Sequence, residues 1–160
     1  MKSSAPLESF SPYLLSVLRV MAGLLFLEHG MTKILGFPPS NMPASAGHSQ
    51  DNTVMSYFGI GSAHFAFYSD FHFPPLTMLG FSGVLEFVGG ILLVLGLFTR
   101  LTAFILSGEM AFAYFMVHAH NNFFPLVNKG ELAVLYCFVF LYLAAAGGGP
   151  WSIDRLRHRG

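Results

Sequence analysis

A chain of 160 residues in which 54% of side chains are hydrophobic and only 10% are charged cannot clothe a soluble globule, whose ordinary share of charge is about 25%. Eight basic and eight acidic residues cancel, and no long basic run is present, so nucleic-acid binding has no electrostatic footing. The apolar excess, eighteen Phe included, excludes intrinsic disorder and suits lipid as the solvent.

The first apolar segment covers about 12–35, long enough for a helix that crosses hydrocarbon, which needs roughly 20 residues. It is too long for a secretory leader, carries Arg19, and lacks a small-residue cleavage pattern after it, so it is expected to stay in the membrane. Pro12 is expected at its start, where a missing N–H costs little. A connection follows over about 36–73, with no Lys or Arg, three prolines, and a Phe- and His-rich stretch from His64 to Phe73. Such a loop is expected on the exported side, lying on the membrane as an aromatic belt or offering a surface to an outer partner.

The second segment covers about 76–98 and the third about 100–118, with Pro74 and Pro75 expected at the start of the second. The short turn Phe98-Thr99-Arg100 makes the two an antiparallel hairpin. A fourth segment covers about 130–149 and ends at Gly147-Gly148-Gly149-Pro150, a strong stop signal. The expected fold is therefore all-α: a transmembrane four-helix bundle, a single membrane domain over 1–160. With the N-terminus inside, Lys2, Arg19, Arg100, Arg155, Arg157 and Arg159 fall on the cytoplasmic side against Lys33 and Lys129 outside. That bias places both the N-terminus and the C-terminus in the cytoplasm. The lone Cys137 sits in an apolar run and reads as a small buried hydrophobe; one thiol gives the chain no disulfide or dithiol couple of its own.

Ionisable residues inside a bilayer normally face protein or water. Counting helical rise from the inner ends gives two tiers. The inner tier pairs Arg19 with Glu109, with Glu86 in reach. The outer tier gathers Glu28, His29, His118 and Glu131, with Lys33 and Lys129 at the rim. Arg19, Ala22, Gly23, Phe26, His29, Gly30 and Lys33 share one helical face, and Ser82, Gly83, Glu86, Gly89 and Gly90 share another. Charge mixed with small residues suits helix contact in lipid. The Arg19, Glu86 and Glu109 face is expected to line the bundle interior. Arg19, Lys33, Glu86, Glu109 and Glu131 thus form the candidate buried polar network, read either as register-fixing ion pairs or as a proton or substrate path. His29, Glu86 and His118 are the candidate proton-handling groups, with hydrogen-bonded interfacial histidines as the alternative. No metal site is expected: His118 and His120 do not share a helix face, and the Glu-x-x-His pairs of di-iron bundles are missing.

Taken together, Arg19, then Phe26-Leu27-x-His29-Gly30-x-x-Lys33, then Glu86-x-x-Gly89-Gly90-x-x-Leu93-x-x-Gly96-Leu97-x-Thr99-Arg100, then His118-x-x-Asn121-x-Phe123-Phe124 and Glu131 carry a resemblance. The chain resembles the DoxX family of small four-helix membrane proteins over nearly its whole length. The resemblance implies an inner-membrane location and a link to quinone-reducing sulfur oxidation or to complexes that handle thiol and oxidative stress. The function expected is a membrane subunit of an oxidoreductase complex, quinone-linked or serving oxidative stress, with the bilayer and either a redox protein or a second copy as partners. A quinone in the Phe-rich interior would be its small molecule. The alternatives are a non-enzymatic membrane anchor or assembly factor with structural ion pairs, and a small-solute transporter.

Overall fold

A computed structural model describes residues 6–37, 77–120 and 122–157, and every regular element among these residues is helical. In chain order they are α1 (Pro6–Leu35), α2 (Met78–Leu95), α3 (Thr99–Ala113), α4 (Pro125–Asn128), α5 (Glu131–Ala146) and α6 (Ile153–Arg157). Among the described residues three stretches are long and apolar enough to cross a membrane: Ser9–Leu35, Met78–Leu95 and Thr99–His118. The loop expected over 36–73 and the prolines expected to open the second segment lie almost wholly outside the described residues.

Element boundaries differ from expectation for local reasons. α1 begins before Pro12, which therefore sits inside the helix and removes one backbone donor in an early turn. α2 is capped by Thr77, whose Oγ1 accepts the Gly80 N–H at 3.0 Å. It stops at Gly96, where φ is +68° and the Leu97 N–H folds back onto the Leu92 carbonyl at 3.0 Å. α3 passes into a π-helical turn over Tyr114–His118, closed by the Ala119 N–H on the Tyr114 carbonyl at 2.8 Å. The fourth apolar segment is shorter than expected: α5 has 16 residues and ends at Gly147, whose φ is +89°. At about 1.5 Å per residue it spans roughly 24 Å, against about 30 Å of hydrocarbon.

The chain forms two compact units, Met1–Leu25 with Gly89–Gly160, and Phe26–Val88. In the first, α3 packs along α5, and Leu93, Ala103, Leu106, Phe140 and Leu143 are buried. Ser107 Oγ donates to the Cys137 carbonyl at 2.8 Å, tying α3 to α5. Gly23 lets α1 meet α2 closely: a Cβ there would stand 3.0 Å from the Val94 nitrogen and 3.1 Å from the Gly90 carbonyl oxygen. In the second unit, a Cβ at Gly30 would stand 2.7 Å from the Phe87 Cα. Small residues at such crossings are how helices pack where lipid is as apolar as the side chains. Phe104 and Phe138 remain 64% exposed, as lipid-facing positions should.

Candidate functional site

Among the described residues of the unit Phe26–Val88, ion-paired side chains gather at one centre. Lys33 reaches across from α1 to α2, where its Nζ lies 2.6 Å from Glu86 Oε1 and donates to Ser82 Oγ at 2.9 Å. Gly83 makes this possible: a Cβ there would stand 2.9 Å from the Lys33 Cβ, so the lysine stem lies flat across the missing side chain. Glu86 is 3% exposed, and its Oε2 is buried with no hydrogen-bond partner among the described residues. One carboxylate oxygen thus carries the ion pair, and the other keeps its capacity to accept a hydrogen bond. His29 stands on the same face of α1 one turn before Lys33, but its side chain is exposed.

The unit Met1–Leu25 with Gly89–Gly160 holds a second centre around Arg19, which is fully buried. In place of the expected Glu109 carboxylate, its guanidinium meets backbone carbonyls. Nε donates to Gly148 at 2.9 Å, Nη1 to Leu93 and to Val94 (2.9 Å for the latter), and Nη2 to Trp151 at 2.7 Å. The planar fork of five donors suits such a cradle. Leu93 and Val94 are in the last turn of α2, where the negative end of the helix dipole favours a cation, and the Leu93 carbonyl also accepts the Gly96 N–H at 3.1 Å. Arg100 repeats the device on α5, donating to the Ala145 carbonyl at 2.5 Å and the Ala144 carbonyl at 3.1 Å. Asp154 does the converse for α3, accepting from the Phe98 and Thr99 amides at 2.8 and 2.7 Å. Burial alone would raise the Asp154 carboxyl, but these amides and the Arg157 charge hold it below its ordinary value.

A third centre lies at the π-helical turn. Tyr114 is buried and its hydroxyl donates to the Phe123 carbonyl. His118 Nδ1 lies 3.1 Å from the Asn128 carbonyl oxygen, and Asn128 Nδ2 donates to the Asn122 carbonyl at 2.6 Å. π-Turns of this kind often mark functional positions in helices. Glu131 stands exposed in the first turn of α5, where a negative charge suits the helix N-terminus, and Glu109 is half-buried on α3. Among the described residues no group of three or more His, Cys, Asp or Glu is placed to hold a metal ion.

Sequence reasoning singled out Lys33 and Glu86 but not their pairing, which joins positions assigned to different depths. It placed Ser82 on the Glu86 face without a bonding role, and it missed Asn128 and Asp154. Of these, Asp154 carried the readiest signal, an acidic residue at the head of a short, otherwise basic helix.

Apolar helices long enough to cross a bilayer, with ionisable side chains turned onto one another or onto helix ends, define a helical integral membrane protein. The sequence model of the DoxX family matches residues 14–119, and the chain belongs to that family. It is 42% identical over 151 residues to an uncharacterized protein of Haemophilus influenzae, covering 92% of this chain and 93% of the relative. It is 30% identical over 145 residues to the inner membrane protein YqjF of Escherichia coli, covering 89% and 91%. No solved structure matches it. The chain is thus a multi-pass protein of the inner membrane.

Proposed function

We propose that this protein is the membrane subunit of an oxidoreductase complex, with Lys33 and Glu86 as the groups that hold and move a proton beside a quinone. The observation that carries this reading is the Glu86 carboxylate, buried in a candidate span, paired through Oε1 and unpartnered among the described residues at Oε2. A structural pair would be expected to satisfy both oxygens. A quinone supplies two-electron, two-proton chemistry, and its carbonyl oxygens need a donor. The Lys33 ammonium can serve as that donor, and Glu86 Oε2 can take up or release the accompanying proton. His29 and His118 are the further proton-handling candidates.

The fold proposed with it is a four-helix bundle in one membrane domain, α5 being the short fourth member, with both termini cytoplasmic. The excess of Lys and Arg on the inner side supports that orientation. The partner that exchanges electrons with the quinone is a second, redox-active protein; self-association of the chain is the other partner reading.

The test is equilibrium binding of a short-chain ubiquinone to the purified protein in detergent. Wild type is expected to bind, and Glu86→Gln, matched in size and checked for folding, to bind at least tenfold more weakly. His29→Ala is the second comparison. Absence of binding by wild type, with no redox protein recovered alongside it, removes this reading. The non-enzymatic anchor then stands, favoured by Arg19, whose donors serve only helix ends and the chain after α5.

A further inference from the structure

An open groove of about 510 Å³ lies where α3 begins and α5 ends, with Arg100, Gly147, Gly148, Ser152 and Arg155 among its lining residues. That volume falls in the range of small-molecule sites, roughly 300–1,000 Å³. We propose that this groove binds the headgroup of an anionic phospholipid.

Four observations lead there. The groove stands at the ends of two apolar helices, at the level where hydrocarbon gives way to headgroups, and Trp151 and Phe98 beside it are 59% and 53% exposed. Exposed aromatics at helix ends are the mark of that interface. Its charge is positive: Arg100 and Arg155 line it, and Arg157 stacks 5.2 Å over the Phe98 ring at its rim. Among the described residues no carboxylate lies within ion-pair distance of these three arginines, although the Arg157 charge acts on Asp154 from further off.

The one acid in the lining, Asp154, is turned to the amides that open α3. Arg100 spends three bonds on the carbonyls of α5 and keeps further donors of its five.

The last observation separates a lipid from a free phosphate. Leu101 lines the groove and is 62% exposed, and Phe104 follows one turn on, 64% exposed, along the same face of α3. An acyl chain can lie on that track while the phosphate meets the arginines. Basic pockets at the ends of membrane helices hold anionic headgroups in this manner.

The experiment is native mass spectrometry of the purified full chain with phosphatidylglycerol or phosphatidylcholine at equal concentration. Phosphatidylglycerol should be retained at least fivefold better. Arg155→Gln, at an exposed position away from the helix-end contacts, should lower that retention about fivefold, the effect of one basic charge at a membrane surface. Arg100→Lys should lower it too, since a point charge lacks the fork. Glycerol phosphate without acyl chains should not compete. Equal retention of the two lipids, or a folded Arg155→Gln that retains phosphatidylglycerol as wild type does, overturns the proposal. Competition by glycerol phosphate overturns the assignment to lipid. None of these outcomes touches the Lys33 and Glu86 reading.

Discussion

Lys33 Nζ stands 2.6 Å from Glu86 Oε1, an ion pair between residues 53 positions apart in the chain, with the lysine a quarter exposed and the glutamate almost fully buried. Removing the lysine leaves a carboxylate in an apolar surround, whereas removing both charges leaves only a packing change. Lys33→Met should therefore destabilise the protein by about 2–3 kcal/mol, at or below the range for fully buried pairs because the lysine reaches solvent. The double variant Lys33→Met/Glu86→Leu should recover most of it. Thermal unfolding in detergent measures both, and equal losses in the single and double variants would count against the pair.

Arg19 offers a different kind of test because its partners are carbonyls. Arg19→Ala removes the side-chain donor from the part-buried carbonyls of Val94, Gly148 and Trp151, each worth up to about 1–3 kcal/mol when unsatisfied. It should lower membrane abundance severalfold, read by quantitative blotting of membrane fractions. Arg19→Lys should rescue only part, since an ammonium cannot reach Leu93, Gly148 and Trp151 carbonyls together. Full rescue by lysine would show that charge alone is what matters.

Asp154 sets a pH dependence. Its carboxyl is held below the ordinary value, so its contribution is fully present above the unfolded value of about 3.9. It is lost as pH falls through the lower folded value. Asp154→Ala should cost about 1 kcal/mol near neutrality, the usual size of a helix cap. The gap between wild type and variant should close in acid, below both values. A gap of constant size from pH 7 down to pH 2 would sink this account.

Two glycines should part company. A Cβ at Gly30 meets the Phe87 Cα at 2.7 Å and the Glu86 carbonyl carbon at 2.9 Å, all backbone that cannot swing aside. Gly30→Ala should destabilise by about 1–3 kcal/mol. Gly108, with nothing within 4 Å of such an atom, should accept Ala with no loss or a gain of about 0.4–1 kcal/mol. Denaturant titration of the two variants side by side tests the contrast.

The π-helical turn explains one boundary that periodicity could not reach. A run from Thr99 to His118 reads as one helix, and its apolar character is continuous. The wider turn at Tyr114–His118 accompanies bonds of Tyr114 and His118 to the Phe123 and Asn128 carbonyls, made by residues beyond the helix. Likewise, the expected Arg19 and Glu109 pair was a reasonable inference from depth, yet depth says nothing of rotation about a helix axis.

What could be read from the residues alone was the solvent and the placement of the long helices: bilayer thickness translates directly into a run of apolar side chains, and that run is a local property. The glycines at 147–149 marked where the fourth segment stops, because positive φ is a local demand too, whereas Gly96, which ends α2, lay unmarked inside the run expected over 76–98. The partners of the charges were decided only in three dimensions. Glu86 meets Lys33 because Gly30 and Gly83 bring two distant helices close, and Arg19 meets carbonyls that every residue carries and no sequence pattern announces.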